Sequence, residues 1–275
     1  MNDLKYDHLP STLIKRGLIL IFFYIFIIPT TFTQVNFGSN PEIIDKIRGD
    51  IIAIDVLGNL YIVQESSLYK YSLKGELLYS YSNFSLGPIS SVDVTNPMKI
   101  MLFYKDAATL LFLDDRLSPI SENLDLMNKQ LATISLAAYS TNNQIWLYDF
   151  INMDLITLDM YFNVTGKVHY NFPNFQPTQL MEIPGKMFAM YNPEQGIYLF
   201  DSFGSYIKTI GIQTEKKVQF VGQTLIYLKD SRLHIYNYQE LRDESFELKD
   251  THIKQSLKFR DKYILLKESG EVEIY

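Results

Sequence analysis

Side chains that exchange protons near neutrality are few in this chain. His8, His169, His234 and His252 are the only histidines in 275 residues, and there is no cysteine. His169 and His234 alternate with apolar neighbours, His252 begins an apolar run, and no two of them stand at the spacing of a zinc-ligand pair. The acids and amides are more regular. Glu65, Asp106, Asp149, Asn192, Asp230 and Glu268 each close an apolar run, at separations of 41, 43, 43, 38 and 38 residues. A second set, Asp114, Asp159, Asp201 and Asn237, follows the next apolar run of successive units. A metal ion needs several oxygen ligands converging on one point, whereas repetition disperses them. Asp and Asn are also the residues that tight turns select, because their side chains bond the backbone two residues on. Turn formation is therefore the expected role of both sets. The sequence contains no G-x-S-x-G elbow, P-loop or dinucleotide-binding fingerprint. No catalytic constellation, metal or cofactor is expected.

The elements that carry these residues recur with the same period. Residues 99–114 read as a hairpin, Ile100-Met101-Leu102-Phe103-Tyr104, a polar turn at Lys105-Asp106-Ala107-Ala108, and Thr109-Leu110-Leu111-Phe112-Leu113. Around it the chain divides into units of short apolar runs joined by turns. The first unit has runs at 51–55, 60–63, 68–71 and 76–81, and the fifth at 218–220, 225–228, 233–236 and 246–248. The sixth has only 253–259, 263–266 and 271–275 before the chain ends. A three-stranded last unit leaves an unpaired edge. The spare stretch at the other terminus, 35–37 or 43–47, can fill it. Repeats of roughly 40 residues with four strands each are those of propeller blades. The fold class expected is all-β, a six-bladed β-propeller closed by the N-terminal strand completing the last blade. Twenty Tyr and eighteen Phe against one Trp, with runs of Ile, Val and Leu, agree with strands. An open solenoid or a sandwich fits the interval less well.

Residues 1–33 read as a cleaved signal peptide that directs export: a basic Lys15-Arg16, an apolar run at 18–28, and small residues at Thr31 and Thr33. Cleavage before Gln34 is expected, leaving a propeller domain of 34–275. The apolar run is shorter than the roughly 20 residues that span a bilayer. Net charge is −6 for the whole chain, and no basic run offers the phosphate neutralisation on which nucleic-acid binding rests.

In a propeller, the turn between the second and third strands of a blade lies on the same face as the connection to the next blade. That face would carry the first set of turn residues, and the pairs Lys105-Asp106, Lys229-Asp230 and Lys267-Glu268 alternate charge in a way that suits a wet protein interface. Phe84, Phe150, Phe175 and Tyr191 are all expected in connections on the same face. Clustered exposed aromatics mark protein contacts, although such rings can also plug gaps between blades. Phe84, Lys105, Asp106, Phe150, Phe175, Tyr191, Lys229 and Asp230 are the partner-binding candidates.

The stretch Ser91-Val92-Asp93-Val94-Thr95-Asn96-Pro97-Met98-Lys99-Ile100, followed by Phe103-Tyr104-Lys105-Asp106 and Phe112-Leu113-Asp114, resembles exported β-propeller proteins of the Bacteroidota. Within that group it is similar to the plug subunits of type IX secretion translocons. The resemblance implies a non-catalytic periplasmic protein, peripherally associated with the outer membrane, that binds an outer-membrane barrel protein of a secretion complex as a monomer within a hetero-complex. It brings no catalytic residues. Two alternatives stay open from the residues alone: a propeller enzyme, hydrolase, lactonase or lyase, acting on a sugar or cell-wall fragment through acids or histidines converging at the axis, and a small-ligand sensor with an apolar axial cavity.

Overall fold

The computed structural model describes residues 42–120, 123–183 and 187–275. The expected leader, its cleavage point and the stretch 35–37 lie outside the described residues. The described chain forms a six-bladed β-propeller, six four-stranded antiparallel sheets in a ring, without α-helices among the described residues. The first strand, β1 (Glu42–Arg48), stands apart from the first blade. Blade 1 is β2 (Ile51–Ile54), β3 (Leu60–Gln64), β4 (Ser67–Tyr71) and β5 (Leu77–Ser82), and blade 2 is β6 (Ser91–Asp93), β7 (Ile100–Tyr104), β8 (Thr109–Leu113) and β9 (Leu124–Asp125). Blade 3 comprises β10 (Ile134–Tyr139), β11 (Ile145–Asp149), β12 (Asp154–Leu158) and β13 (Val164–His169). Blade 4 follows with β14 (Gln179–Ile183), β15 (Met187–Asn192), β16 (Gly196–Asp201) and β17 (Tyr206–Ile210). Blade 5 is β18 (Gln219–Val221), β19 (Thr224–Lys229), β20 (Arg232–Asn237) and β21 (Arg242–Glu247), and blade 6 begins with β22 (Ile253–Phe259), β23 (Lys262–Lys267) and β24 (Glu271–Ile274). Its fourth strand is β1, which pairs antiparallel with β24 through Glu42 with Ile274, Ile43 with Glu273 and Ile44 with Val272. The ring is thus closed by the N-terminal strand, and the stretch that does it is 42–48.

Burial explains why some strands were plain in the sequence and others faint. The second and third strands of blades 2 and 3 (β7, β8, β11 and β12) are buried at every position. They are covered on both faces by neighbouring blades, so they read as unbroken apolar runs rather than alternating ones. The outermost strands meet solvent; β5 and β17 are mostly exposed. Strand β21, Arg-Asp-Glu-Ser-Phe-Glu, carries so little apolar signal that only its last two residues fall within the expected 246–248.

The core lies between blades. Tyr61 and Leu68 of blade 1 pack with Leu102 and Tyr104 of blade 2, Trp146 and Tyr148 of blade 3 with Phe188 and Phe200 of blade 4, and Ile62 of blade 1 with Ile264 and Leu266 of blade 6. Each such side chain contributes about 1.5–3 kcal/mol on burial, so the blades are held by their shared interfaces. At the closure Gly49 donates its N–H to Gly270 O at 3.0 Å, and a Cβ on Gly49 would lie 2.3 Å from Ile62 Cγ2. Only glycine fits where β1 passes to β2.

Polar side chains stitch the innermost strands to one another. Gln255 of β22 donates to Ile52 O at 2.7 Å and accepts from Ile52 N at 3.1 Å, joining blade 6 to blade 1. Gln179 of β14 makes the same two-way bond with the backbone of Val218, and Gln219 of β18 with Lys258. An innermost strand has one edge without a strand partner, and a glutamine, with one acceptor and one donor, matches the carbonyl and N–H of a single residue there. Carboxylates do part of this work elsewhere: Asp93 accepts from Tyr139 N at 2.8 Å, and Glu182 from Thr141 N at 2.7 Å.

Candidate docking face

The turns between second and third strands do share a face with the connections between blades, because backbone bonds link them. Ile89 N donates to Glu65 O, Leu126 N to Ala108 O, Tyr170 N to Met153 O, Leu248 N to Ser231 O and Glu268 N to His252 O. The six repeated acids and amides all lie at these turns, but they divide by role. Glu65, Asp106, Asp230 and Glu268 are exposed. Asp149 and Asn192 are buried. Asp149 accepts from the N–H groups of Ile151 and Asn152 at 3.0 Å, from Asn152 Nδ2 at 2.7 Å and from Thr133 Oγ1 at 2.8 Å. Burial pushes its carboxyl up, but the bonds from Asn152, Thr133 and Ile151 outweigh that and hold it below the ordinary carboxylate value.

The second set sits on the opposite face, between third and fourth strands, and forms turns. Asp114, Asp159 and Asp201 each accept through one oxygen from the backbone N–H groups two and four residues on, at 2.8–2.9 Å. Each of these hairpins then places a residue in the left-handed region, Leu117, Phe162 and Gly204, the three- to four-residue loop that ends in a bulge.

The candidate residues separate in the same way. Lys105 and Asp106 are exposed at the tip of the β7–β8 hairpin, which is fastened to the preceding connection by Lys105 N donating to Ser90 Oγ at 3.0 Å. Lys229 is exposed, and Asp230 and Ser231 form a two-residue turn with φ of 50° and 60°. Phe84 opens a 3-10 turn, Phe84–Leu86, whose N-terminus is capped by Asn83, and is 80% exposed; Phe150 is 43% exposed. Phe175 and Tyr191 are corrections. Phe175 is buried against Tyr148, Phe172 and Tyr198, with ring centroids 5.9, 5.3 and 4.6 Å away, and fills the gap between blades 3 and 4. Tyr191 lies within β15 rather than in a connection, is buried, and accepts through its hydroxyl from Thr214 N at 2.8 Å. Neither presents a surface. The charge pair Lys267-Glu268 is also split: Lys267 Nζ turns inward to Glu273 at 2.6 Å and Glu271 at 3.0 Å, which hold its ammonium well above the ordinary lysine value, while Glu268 pairs with Lys216 at 3.0 Å.

Met127 and Ile151, exposed on the connection after blade 2 and on the β11–β12 turn, belong to the same face and were not singled out by spacing. Exposure is not encoded by residue type, and an apolar residue in a turn is the one signal that could have drawn attention to them. The face therefore has an apolar sector over blades 1–3, Phe84, Met127, Phe150 and Ile151, and a charged sector over blades 5 and 6. In the charged sector a cavity of about 330 Å³ is lined by Lys216, Lys229, Asp230 and Asp250 among others. Near the ring's inner edge Lys217 is half-buried, and burial, with the like charge of Lys254 adding, pushes its amine down to about 8.

The histidines are dispersed. His169 bonds Asp154 at 3.0 Å on blade 3, His234 bonds Asp243 at 2.9 Å on blade 5, and His252 lies 3.4 Å from Asp250 before blade 6. No group of three or more metal-ligating side chains occurs among the described residues.

No protein-family model matches the sequence, and no curated protein matches it. Solved structures do match in fold. Virginiamycin B lyase from Staphylococcus aureus superposes with a TM-score of 0.58 at 10% identity, covering 81% of this chain and 78% of the lyase. The Pan2 WD40 domain of Neurospora crassa gives 0.56 at 9% identity, over 90% of this chain and 91% of that one. The WD40 β-propeller domain of Doa1 gives 0.58 at 14% identity, over 81% and 76%. At these identities the likeness establishes the propeller fold, a scaffold that hosts unrelated functions.

Proposed function

We propose that this protein is a non-catalytic docking propeller, exported to the periplasm, whose face of inter-blade connections binds an outer-membrane barrel protein of a secretion complex, as a plug or accessory subunit of a type IX translocon. The observation that carries the docking role is the pairing, on one face of a rigid ring, of solvent-exposed Phe84 and Phe150 with the charged turn tips Lys105-Asp106 and Lys229-Asp230. Exposed aromatic anchors beside charged, hydrated positions are the composition of a separable protein interface. The resemblance over residues 91–114 supports the choice of partner and compartment. A stopper that must leave its pore needs a modest interface of mixed polarity rather than a wide apolar one.

The test is recovery of partners from detergent-solubilised native membranes with tagged full-length protein. An outer-membrane barrel should co-purify with the wild type and be lost in a F84A/F150A double variant. Recovery of the wild type alone, or equal recovery by the variant, would refute the assignment.

A further inference from the structure

On the face opposite the proposed docking surface, a groove of about 380 Å³ opens between blades 3 and 4. Trp146 of β11 and Phe188 of β15, 5% and 1% exposed, stack with centroids 4.6 Å apart and form its floor, and Phe203, at the tip of the β16–β17 turn and 84% exposed, is the ring whose face is free. Glu182 is the one charged side chain among the described lining residues. Its Oε1 accepts from Ser140 Oγ at 2.6 Å and Thr141 Oγ1 at 3.1 Å, and its Oε2 from Thr141 N at 2.7 Å. These donors fix the carboxylate in place. A carboxylate has about four lone-pair sites, and these three bonds leave one on a side chain that lines the groove.

We propose that this groove binds a basic side chain, an alkylguanidinium or alkylammonium, carried by an extended segment of a partner polypeptide. A cation is attracted to the face of an aromatic ring, here the exposed Phe203, and forms its strongest hydrogen bonds with a carboxylate, here Glu182, and Met187 beside the floor of Trp146 and Phe188 receives the apolar stem that such side chains carry. The polypeptide source follows from size and lining. The groove is larger than one guanidinium group, and Asn142, Gln144 and Ser202 at its walls supply donors and acceptors for peptide backbone. This inference stands apart from the docking face and survives its failure.

Trp146 is the chain's only tryptophan, so its emission reports on the groove directly. Purified protein would be titrated with N-acetyl-arginine amide, an arginine-containing pentapeptide, free arginine, and the citrulline analogue of the pentapeptide, with calorimetry as a second readout. The expected result is saturable binding of the arginine pentapeptide, weaker binding of free arginine and none of the citrulline peptide. E182Q should weaken the arginine peptide about tenfold, as for loss of a charge-assisted hydrogen bond. F203A should weaken it about threefold, as for an exposed cation–π contact. Phe203 is solvent-exposed and engages Asp201 through its backbone N–H, so F203A tests the groove without endangering the fold if E182Q unfolds. Equal binding of the citrulline peptide, no saturable binding by either readout, or wild-type affinity in F203A would overturn the proposal. Free arginine binding as tightly as the pentapeptide would overturn the polypeptide source.

Discussion

Gln255→Leu should weaken the whole ring, because Gln255 joins blade 6 to blade 1 beside the junction where β1 closes the chain. Both partner groups belong to Ile52, which is 1% exposed, and Gln255 itself is 6% exposed. Leucine is close in volume but offers neither donor nor acceptor. The variant leaves one buried N–H and one buried carbonyl without a partner, at about 1–3 kcal/mol each. The added apolar burial offsets part of that, giving a net loss of about 2–4 kcal/mol. For a domain of this size each kcal/mol moves Tm by about 2–4 °C, so a fall of roughly 4–16 °C is expected in thermal unfolding followed by circular dichroism. Gln219→Leu should cost less, because Gln219 is half-buried and water can replace the amide. A Q255L variant melting within about 1 °C of the wild type would show that these glutamines are incidental, and that inter-blade apolar packing alone holds the ring.

F175A should lower stability by about 3–5 kcal/mol, as for emptying a buried aromatic site, whereas F84A and F150A should leave Tm nearly unchanged; parallel melts distinguish plug from surface. Lys267→Met strands the buried carboxylate of Glu273 and should cost about 3 kcal/mol, measurable by urea unfolding and reduced when Glu273→Gln is added. Lys217 carries a folded-state pKa of about 8 against the ordinary 10.5, so between those values the unfolded chain holds the extra proton. The penalty for burying its charge is then fully present below about pH 8 and fades as pH rises toward 10.5. K217M should therefore melt above the wild type at pH 7, and the gap should narrow by pH 10; a gap independent of pH would refute the cause.

Much of the fold was legible because the blade's middle strands are buried on both faces. The strands Ile100–Tyr104 and Thr109–Leu113 are buried at every position on either side of a polar turn, and the recurrence of such pairs every 38–43 residues set the number of blades. The truncated sixth unit implied closure from the N-terminus, and β1 supplies it. The outer strand β21 leaves little trace in the sequence because solvent places no apolar demand on it. The three clamping glutamines, Gln179, Gln219 and Gln255, recur at the inner strand of three blades, yet nothing in the sequence marks them. Glutamine is common on strands, and only the proximity of a neighbouring blade's backbone gives it a partner.

By itself, the sequence determined the period, the strand class, the closure and the turn chemistry of Asp114, Asp159 and Asp201, since all of these follow from local burial and local hydrogen bonding. Tertiary structure alone decided which aromatics face water. Phe84 and Phe175 are the same residue type in similar inter-blade connections, yet one stands 80% exposed and the other is 3% exposed. The difference lies in what neighbouring blades bring to each position: Tyr148 and Tyr198 converge on Phe175 from two blades, and no spacing along one chain records that meeting. The same holds for the groove at Trp146, Glu182 and Phe203, whose residues come from two blades and become a site only when the ring is formed.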